Sequence, residues 1–365
     1  MPAHPIKKIA LLTGGGDCPG LNSAIRAVVQ ACILEHGIEV AGVPDGFKGL
    51  VENRFVPLDL VNTTGIFSRG GTILGSSNVD TPFAVPVVTG GRTVYEDRSD
   101  AALEHLARAQ IDAMIVIGGD GTQAIAHAMA KKGVKLVGIP KTIDNDLNGT
   151  EFTIGFFTAV GTAVGALDKL HTTAESHHRI MVVEVMGRNA GWIALFAGLA
   201  GDADVILIPE IPFQPEKIAT FLKDLHHANK HYSIVVVSEG AKPVGGDVTV
   251  SRLVEHSPEK IRLGGVAHRV ATELEALTGR ETRAIVLGHL LRGGAPEGFD
   301  RILASRFGVM AVKAVVEQRF DTMVAFHGNN VELVPLETGA GKNRYVDPDS
   351  PFLQAARTRG ICFGD

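Results

Sequence analysis

The chain has 365 residues, 45% of them hydrophobic, with 43 glycines and a formal net charge of −5. That length suits two ordinary domains or one large one with insertions, and the acidic balance excludes a global basic field for nucleic acid, so any anionic ligand must meet local positive clusters. The cysteines, Cys18, Cys32 and Cys362, have no metal-binding spacing and make no disulfide framework, which points to a reducing compartment. No apolar run nears the ~18 residues of a spanning helix, and the first ten residues lack signal-peptide character. A soluble, cytoplasmic protein is expected, with neither nucleic acid nor membrane among its partners.

Residues 6–13 form a short apolar run that reads as a strand. The turn Gly14-Gly15-Gly16-Asp17-Cys18-Pro19-Gly20 follows, then an amphipathic stretch over 22–36 ending at Gly37, then a second buried strand over 38–43. Strand, glycine turn, helix and strand make a βαβ unit with parallel strands. Residues 79–97, rich in Pro, Gly and Thr, read as a surface loop near the functional face. A helix is expected over 101–109 and a strand over 113–117. Gly118-Gly119-Asp120-Gly121-Thr122 then opens a helix through Lys132, and a strand over 134–139 enters Pro140-Lys141-Thr142-Ile143-Asp144-Asn145-Asp146. Further strands are expected at 180–185, 205–208, 233–238 and 283–288, most of them separated by helices. So many alternations exceed one typical sheet. They predict an α/β protein of two doubly wound, Rossmann-like domains with mainly parallel sheets and the active site in the cleft between them.

The motifs carry chemistry of one kind. Glycines at a strand-to-helix turn let backbone amides approach an anion, although 13–20 lacks both the dinucleotide fingerprint and the Lys-Ser/Thr of a P-loop. It reads equally as a tight turn without a ligand. Asp120, between glycines at a strand end, can hold magnesium beside substrate phosphates or simply cap a helix. Asp144 and Asp146 can divide base and orienting roles, or serve as plain turn residues. Arg179, Arg188, Arg283 and Arg292 each flank a strand end or glycine turn, where guanidinium forks grip phosphate; any one of them alone reads as a surface residue. His289 precedes Arg292 by three residues, and Glu239 ends a strand, where it can accept from sugar hydroxyls or merely terminate the strand.

Together these segments resemble the phosphofructokinase family, in the family's order. The matching stretches are Leu12 to Asn22, Gly118 to Thr122, Pro140 to Asp146, Gly155-Phe156-Phe157-Thr158-Ala159, Glu184-Val185-Met186-Gly187-Arg188, Ser238-Glu239-Gly240 and Leu287 to Gly294. The resemblance implies phosphorylation of fructose 6-phosphate to fructose 1,6-bisphosphate in glycolysis. It makes Asp144 the base for the sugar 1-hydroxyl, Asp120 the Mg2+ ligand, Asp146 a supporting carboxylate and Thr142 a contact to the transferred phosphoryl group. His289 and Arg292 would bind the 6-phosphate, with Arg179 and Arg283 reaching it from a neighbouring subunit. That implies a homo-oligomer, dimer or tetramer, with shared active sites. Met186, Gly187, Arg188 and Glu239 would line the sugar pocket, and Gly16, Gly119, Gly121 and Thr122 would face the donor. The division implied is 1–155 plus about 291–320 for the donor domain, and 156–290 plus 321–365 for the sugar-phosphate domain.

The donor follows from two positions. Pyrophosphate-using relatives carry aspartate where this chain has Gly121, which would crowd and repel a nucleotide's α-phosphate, so glycine favours ATP. Lys141 stands where many bacterial ATP enzymes have glycine and pyrophosphate enzymes have lysine, and it would add charge beside the transferred phosphate. Asn78 replaces an arginine of the bacterial enzymes, so Lys141 is expected to take over its charge neutralisation. In the family's effector site Arg26 is matched, but Gln30 and Leu60 replace two basic members, which argues against ADP regulation. The competing readings are a pyrophosphate-dependent enzyme, a silent sugar-phosphate-binding subunit, and an NAD or lipid kinase. The last explains only 118–122, and silence leaves Asp120, Asp144, Asp146, Arg292 and their glycine settings without a purpose.

Overall fold

The computed structural model describes residues 6–253 and 261–365; the expectation of no signal peptide falls partly on residues 1–5, outside that range. The chain forms two compact units. The first comprises the described residues to 142, with 147–157 and 292–343; the second comprises 143–146, 158–291 and 344–365.

In the first unit β1 (Lys8–Thr13) leads through the glycine turn to α1 (Leu21–Gln30), then β2 (Glu39–Val43), α2 (Phe47–Val51) and β3 (Val56–Leu58). A hairpin of β4 (Val85–Thr89) and β5 (Arg92–Glu96) precedes α3 (Ser99–Arg108), β6 (Ala113–Gly118), α4 (Asp120–Lys131) and β7 (Leu136–Pro140). From α5 (Phe156–His177) the chain builds the second unit with β8 (Ile180–Val185), α6 (Trp192–Ala200), β9 (Val205–Leu207), α7 (Pro215–His227) and β10 (Ser233–Ser238). A small ribbon of β11 (Val250–Leu253) and β12 (Ile261–Leu263), then α8 (Val266–Thr278) and β13 (Thr282–Val286), follow. The chain returns to the first unit with α9 (Gly298–Val316), β14 (Thr322–His327) and β15 (Asn330–Pro335), and α10 (Pro351–Thr358) ends the second.

The first sheet runs β15-β14-β7-β6-β1-β2-β3 and the second β13-β8-β10-β9. In the first, β14, β7, β6, β1 and β2 are mutually parallel and the edge strands β3 and β15 antiparallel; every pair in the second is parallel. Strands buried on both faces explain the unbroken apolar runs: Ala113–Gly118 and Ile180–Val185 are buried at every position. Each sheet has its own core. Leu12, Val43, Met114, Val116, Leu136 and Met323 belong to the first, and Val182, Leu207, Phe213, Val235, Val237 and Leu274 to the second.

Two expectations change. Residues 79–97 are not simply a loop, because 85–96 form an exposed hairpin. Its turn residues Gly90 and Gly91 lie at φ +59° and +77°, the left-handed pair that a two-residue hairpin turn requires. The segment from 321 was expected with the second unit, yet β14 and β15 extend the first sheet. Residues 323–326 of β14 are all buried, so this strand fits beside β7, where Thr322 opposes Val137, and not in a solvated tail. Only 344–365 belong to the second unit.

Candidate active site

In the first sheet the chain leaves β1 towards β2 on one side, while β6 lies on the other. The carboxyl ends of β1 and β6 are therefore the topological switch point, where open α/β sheets bind ligands. The two glycine turns meet there: Gly14 N donates to Ile117 O at 2.9 Å. A Cβ on Gly118 would lie 2.3 Å from Thr122 Cβ, and one on Gly14 would lie 2.7 Å from Thr122 Cγ2. Thr122 is thus wedged beneath both turns, and only glycine fits above it. The 72–77 segment lies on the same turn: Gly15 N donates to Ser77 O at 3.0 Å and Ser76 Oγ to Gly15 O at 2.5 Å.

Two cations converge on this loop. Lys141 is 3% exposed, and its Nζ donates to Gly16 O at 2.5 Å. Burial lowers its pKa from the ordinary 10.5; the Arg292 guanidinium adds to that, whereas Asp17 and Asp120 pull the other way. Arg292 Nη1 donates to Asp17 O at 3.2 Å, and a Cβ on Gly16 would stand 2.7 Å from that nitrogen. A side chain at Gly16 would therefore displace the guanidinium from its place over the loop.

Asp120 opens α4 and is half-buried, in the first turn, where the helix N-terminus favours a carboxylate. Beside it Gly121 is exposed, with no atom within 4 Å of where a Cβ would sit. Gln123, which sequence reasoning did not single out, is buried, and its amide donates to Gly118 O and Ile139 O, both at 3.1 Å. It ties the carboxyl ends of β6 and β7 and so sets the level of Asp120. Only its amide character offered a clue. Thr142 is half-buried, and its carbonyl accepts from Thr153 Oγ1 at 2.6 Å.

The second unit gathers the remaining candidates. Asp144 is half-buried and Asp146 buried, on either side of Asn145, whose φ of +52° makes the turn left-handed there. Arg344, in the tail that carried no motif, grips this turn: its N donates to Asp146 O at 2.6 Å and its Nη2 to Asn145 O at 3.1 Å. At the switch point of the second sheet, Met186-Gly187-Arg188 and Glu239 follow β8 and β10. Ser238 Oγ donates to Gly187 O at 2.5 Å, and a Cβ on Gly240 would stand 2.1 Å from Arg188 O. Gly187, at φ +132°, and Gly240 therefore let the two loops touch. His289 is exposed in the second unit, while Arg292 belongs to the first.

Arg179 and Arg283 share one partner. Arg179 Nη2 pairs with Glu281 Oε1 at 2.9 Å, and Arg283 Nη2 donates to the same oxygen. The Arg179 hydrogen bond is the main reason that the Glu281 carboxyl is held below its usual range. Glu281 too was missed, since nothing in sequence distinguishes it from a solvated glutamate. Elsewhere, Asn78 is exposed beside the glycine loop. Arg26 is spent internally, donating to Leu60 O and Thr63 Oγ1, both at 2.7 Å.

This arrangement has close counterparts. The family model described as Phosphofructokinase matches residues 8–315. A Clostridium perfringens protein named ATP-dependent 6-phosphofructokinase 2 is 52% identical over 364 residues, covering 99% of this chain and all of that one. A Streptomyces coelicolor protein named pyrophosphate–fructose 6-phosphate 1-phosphotransferase is 46% identical over 342 residues, covering 93% of this chain and 96% of its own. Among solved structures, the T-state phosphofructokinase of Pichia pastoris superposes with a TM-score of 0.78 at 31% identity, over 92% of this chain but only 36% of that longer one. A motif order that spans two cores, matched by relatives over their whole length, leaves one assignment: the chain belongs to the phosphofructokinase family.

Proposed function

We propose that the chain transfers the terminal phosphoryl group of ATP to the 1-hydroxyl of fructose 6-phosphate, giving fructose 1,6-bisphosphate, as a glycolytic 6-phosphofructokinase. The observation that carries the choice of donor is the open ground at Gly121, where an added Cβ would meet no atom within 4 Å, which leaves room for a nucleotide's α-phosphate. Lys141 and Arg292, converging on the Gly16 loop, supply local positive charge in a protein whose net charge is negative. Phosphoryl transfer needs little more from a protein than positioning and charge neutralisation.

In this reading Asp144 takes the hydroxyl proton and Asp146 orients the group or assists the metal site. Thr142 and the 118–122 turn meet the phosphates. Magnesium fits the residues present, because Mg2+ takes one or two carboxylates plus substrate phosphates and Asp120 is half-buried at the start of α4. Asp120, flanked by glycines, offers one such carboxylate. The bound ion would neutralise charge on the donor phosphates. Met186, Gly187, Arg188 and Glu239 hold the sugar, with His289, Arg292, Arg179 and Arg283 on its phosphate.

The exposure of Arg283, at 54% of its side chain, suits a group that reaches into a neighbouring subunit, so the reading includes a homodimer or homotetramer with shared sites. All three cysteines are free, as a cytoplasmic setting allows. With Arg26 committed to the 60–63 turn, ADP activation through a basic cluster is not part of the proposal. Lys141 and the Streptomyces relative support a second reading, in which pyrophosphate is the donor. The test is fructose 1,6-bisphosphate formation from fructose 6-phosphate, Mg2+ and ATP in an aldolase-coupled assay. Turnover that follows ATP is expected; none with any donor would overturn the enzyme reading in favour of a silent subunit.

A further inference from the structure

The Asp144–Asp146 turn is also held from outside, by a residue of the C-terminal segment. Asn145 is buried at its centre in the left-handed region, a conformation that asparagine tolerates better than other L residues. The Asn145 carbonyl accepts from the Arg344 guanidinium, through Nη2, at 3.1 Å, and the Asp146 carbonyl accepts from the Arg344 main-chain N at 2.6 Å. The Arg344 guanidinium lies 4.3 Å over the Trp192 ring, and Trp192 Nε1 returns a hydrogen bond to Arg344 O at 3.0 Å. Both arms of this clamp are anchored by Glu210, which accepts from Gly191 N at 3.1 Å and from Val346 N at 2.8 Å. Burial pushes the Glu210 carboxyl up, so this carboxylate is kept inside for the amides it binds.

We propose that Arg344, held over Trp192, is a positioning residue whose guanidinium fixes the 145–146 peptide of the Asp144–Asp146 turn and thereby sets the turnover number. The inference rests on Asp144 being the base. Rotating the 145–146 peptide, which joins the two acidic residues, would change how their carboxylates are set against each other, and a displacement of about 1 Å at a reacting group costs up to about 100-fold in rate. The guanidinium serves twice, lying over the Trp192 ring and directing an N–H to Asn145 O, and the point charge of a lysine does not reproduce both.

The test uses the full chain with Arg344→Ala and Arg344→Lys, reading kcat, KM for both substrates, and thermal midpoint. Because Trp192 is the only tryptophan, its emission reports the clamp directly. The expected result for both variants is a folded protein with shifted tryptophan emission, kcat down by about 10- to 100-fold and KM within about threefold. Folded variants with kcat within about twofold of the parent, or with raised KM at constant kcat, would overturn the proposal. If neither variant folds, Trp192→Phe keeps a ring but removes the indole N–H. It should lower kcat severalfold at constant KM, and an unchanged kcat would be fatal to the idea. Full turnover in Asp144→Asn would instead break the underlying reading, whatever Arg344 does.

Discussion

Lys141 shows how a single residue can be read in two ways. In sequence it is a departure from the bacterial pattern; in the structure it is a buried amine bonded to the Gly16 carbonyl. If it stands in for the arginine missing at Asn78, Lys141→Gly should lower kcat by about 100-fold or more while leaving the sugar KM nearly unchanged. Steady-state kinetics with both substrates varied would decide this, and intact turnover would refute it. Its depressed pKa has a pH consequence with a definite sign. Between the folded value and the ordinary 10.5 the unfolded chain holds a proton that the folded chain has lost, so stability rises with pH across that window; below it the buried charge is a constant cost. The same deprotonation removes the charge from the site. The alkaline limb of kcat should therefore fall below pH 10.5, and Lys141→Arg should move it upward. For Asp144, replacement by Asn is expected to lower kcat by about 10²- to 10⁴-fold with the protein still folded, as circular dichroism and turnover together would show.

At the scale of elements, the glycine pairs explain how loops from different strands come to share one surface. Gly240 permits contact with Arg188, and Gly70 sits so that a Cβ would be 2.1 Å from Gly294 O. Gly240→Ala should destabilise the protein by about 1–3 kcal/mol and raise the sugar KM, measured by denaturant unfolding and kinetics; a neutral result on both would show that the two loops do not form one pocket floor. The strands and glycine turns were readable because a fully buried parallel strand is an unbroken apolar run and a closely packed strand-to-helix turn needs glycine. The 85–96 hairpin was hidden because both strands are largely exposed and leave no alternation of burial. Arg344, Gln123 and Glu281 were illegible for another reason: each acts through a partner distant in sequence, and no spacing records that.

On the scale of the whole chain, family membership was legible from the order of seven short segments, none of them decisive alone. The division at 321 was not, because an antiparallel pair appended to a parallel sheet has no signature apart from its apolar face. Function then rests on the chemistry of the donor site, where Gly121 and Lys141 point in different directions. The most direct measurement compares kcat/KM for ATP and pyrophosphate at saturating fructose 6-phosphate and Mg2+, in the parent and in Gly121→Asp. The account predicts turnover with ATP, little with pyrophosphate, and a steep loss of ATP use in the variant. Faster turnover of the parent with pyrophosphate would contradict it, and would mean that the buried lysine outweighs the open glycine.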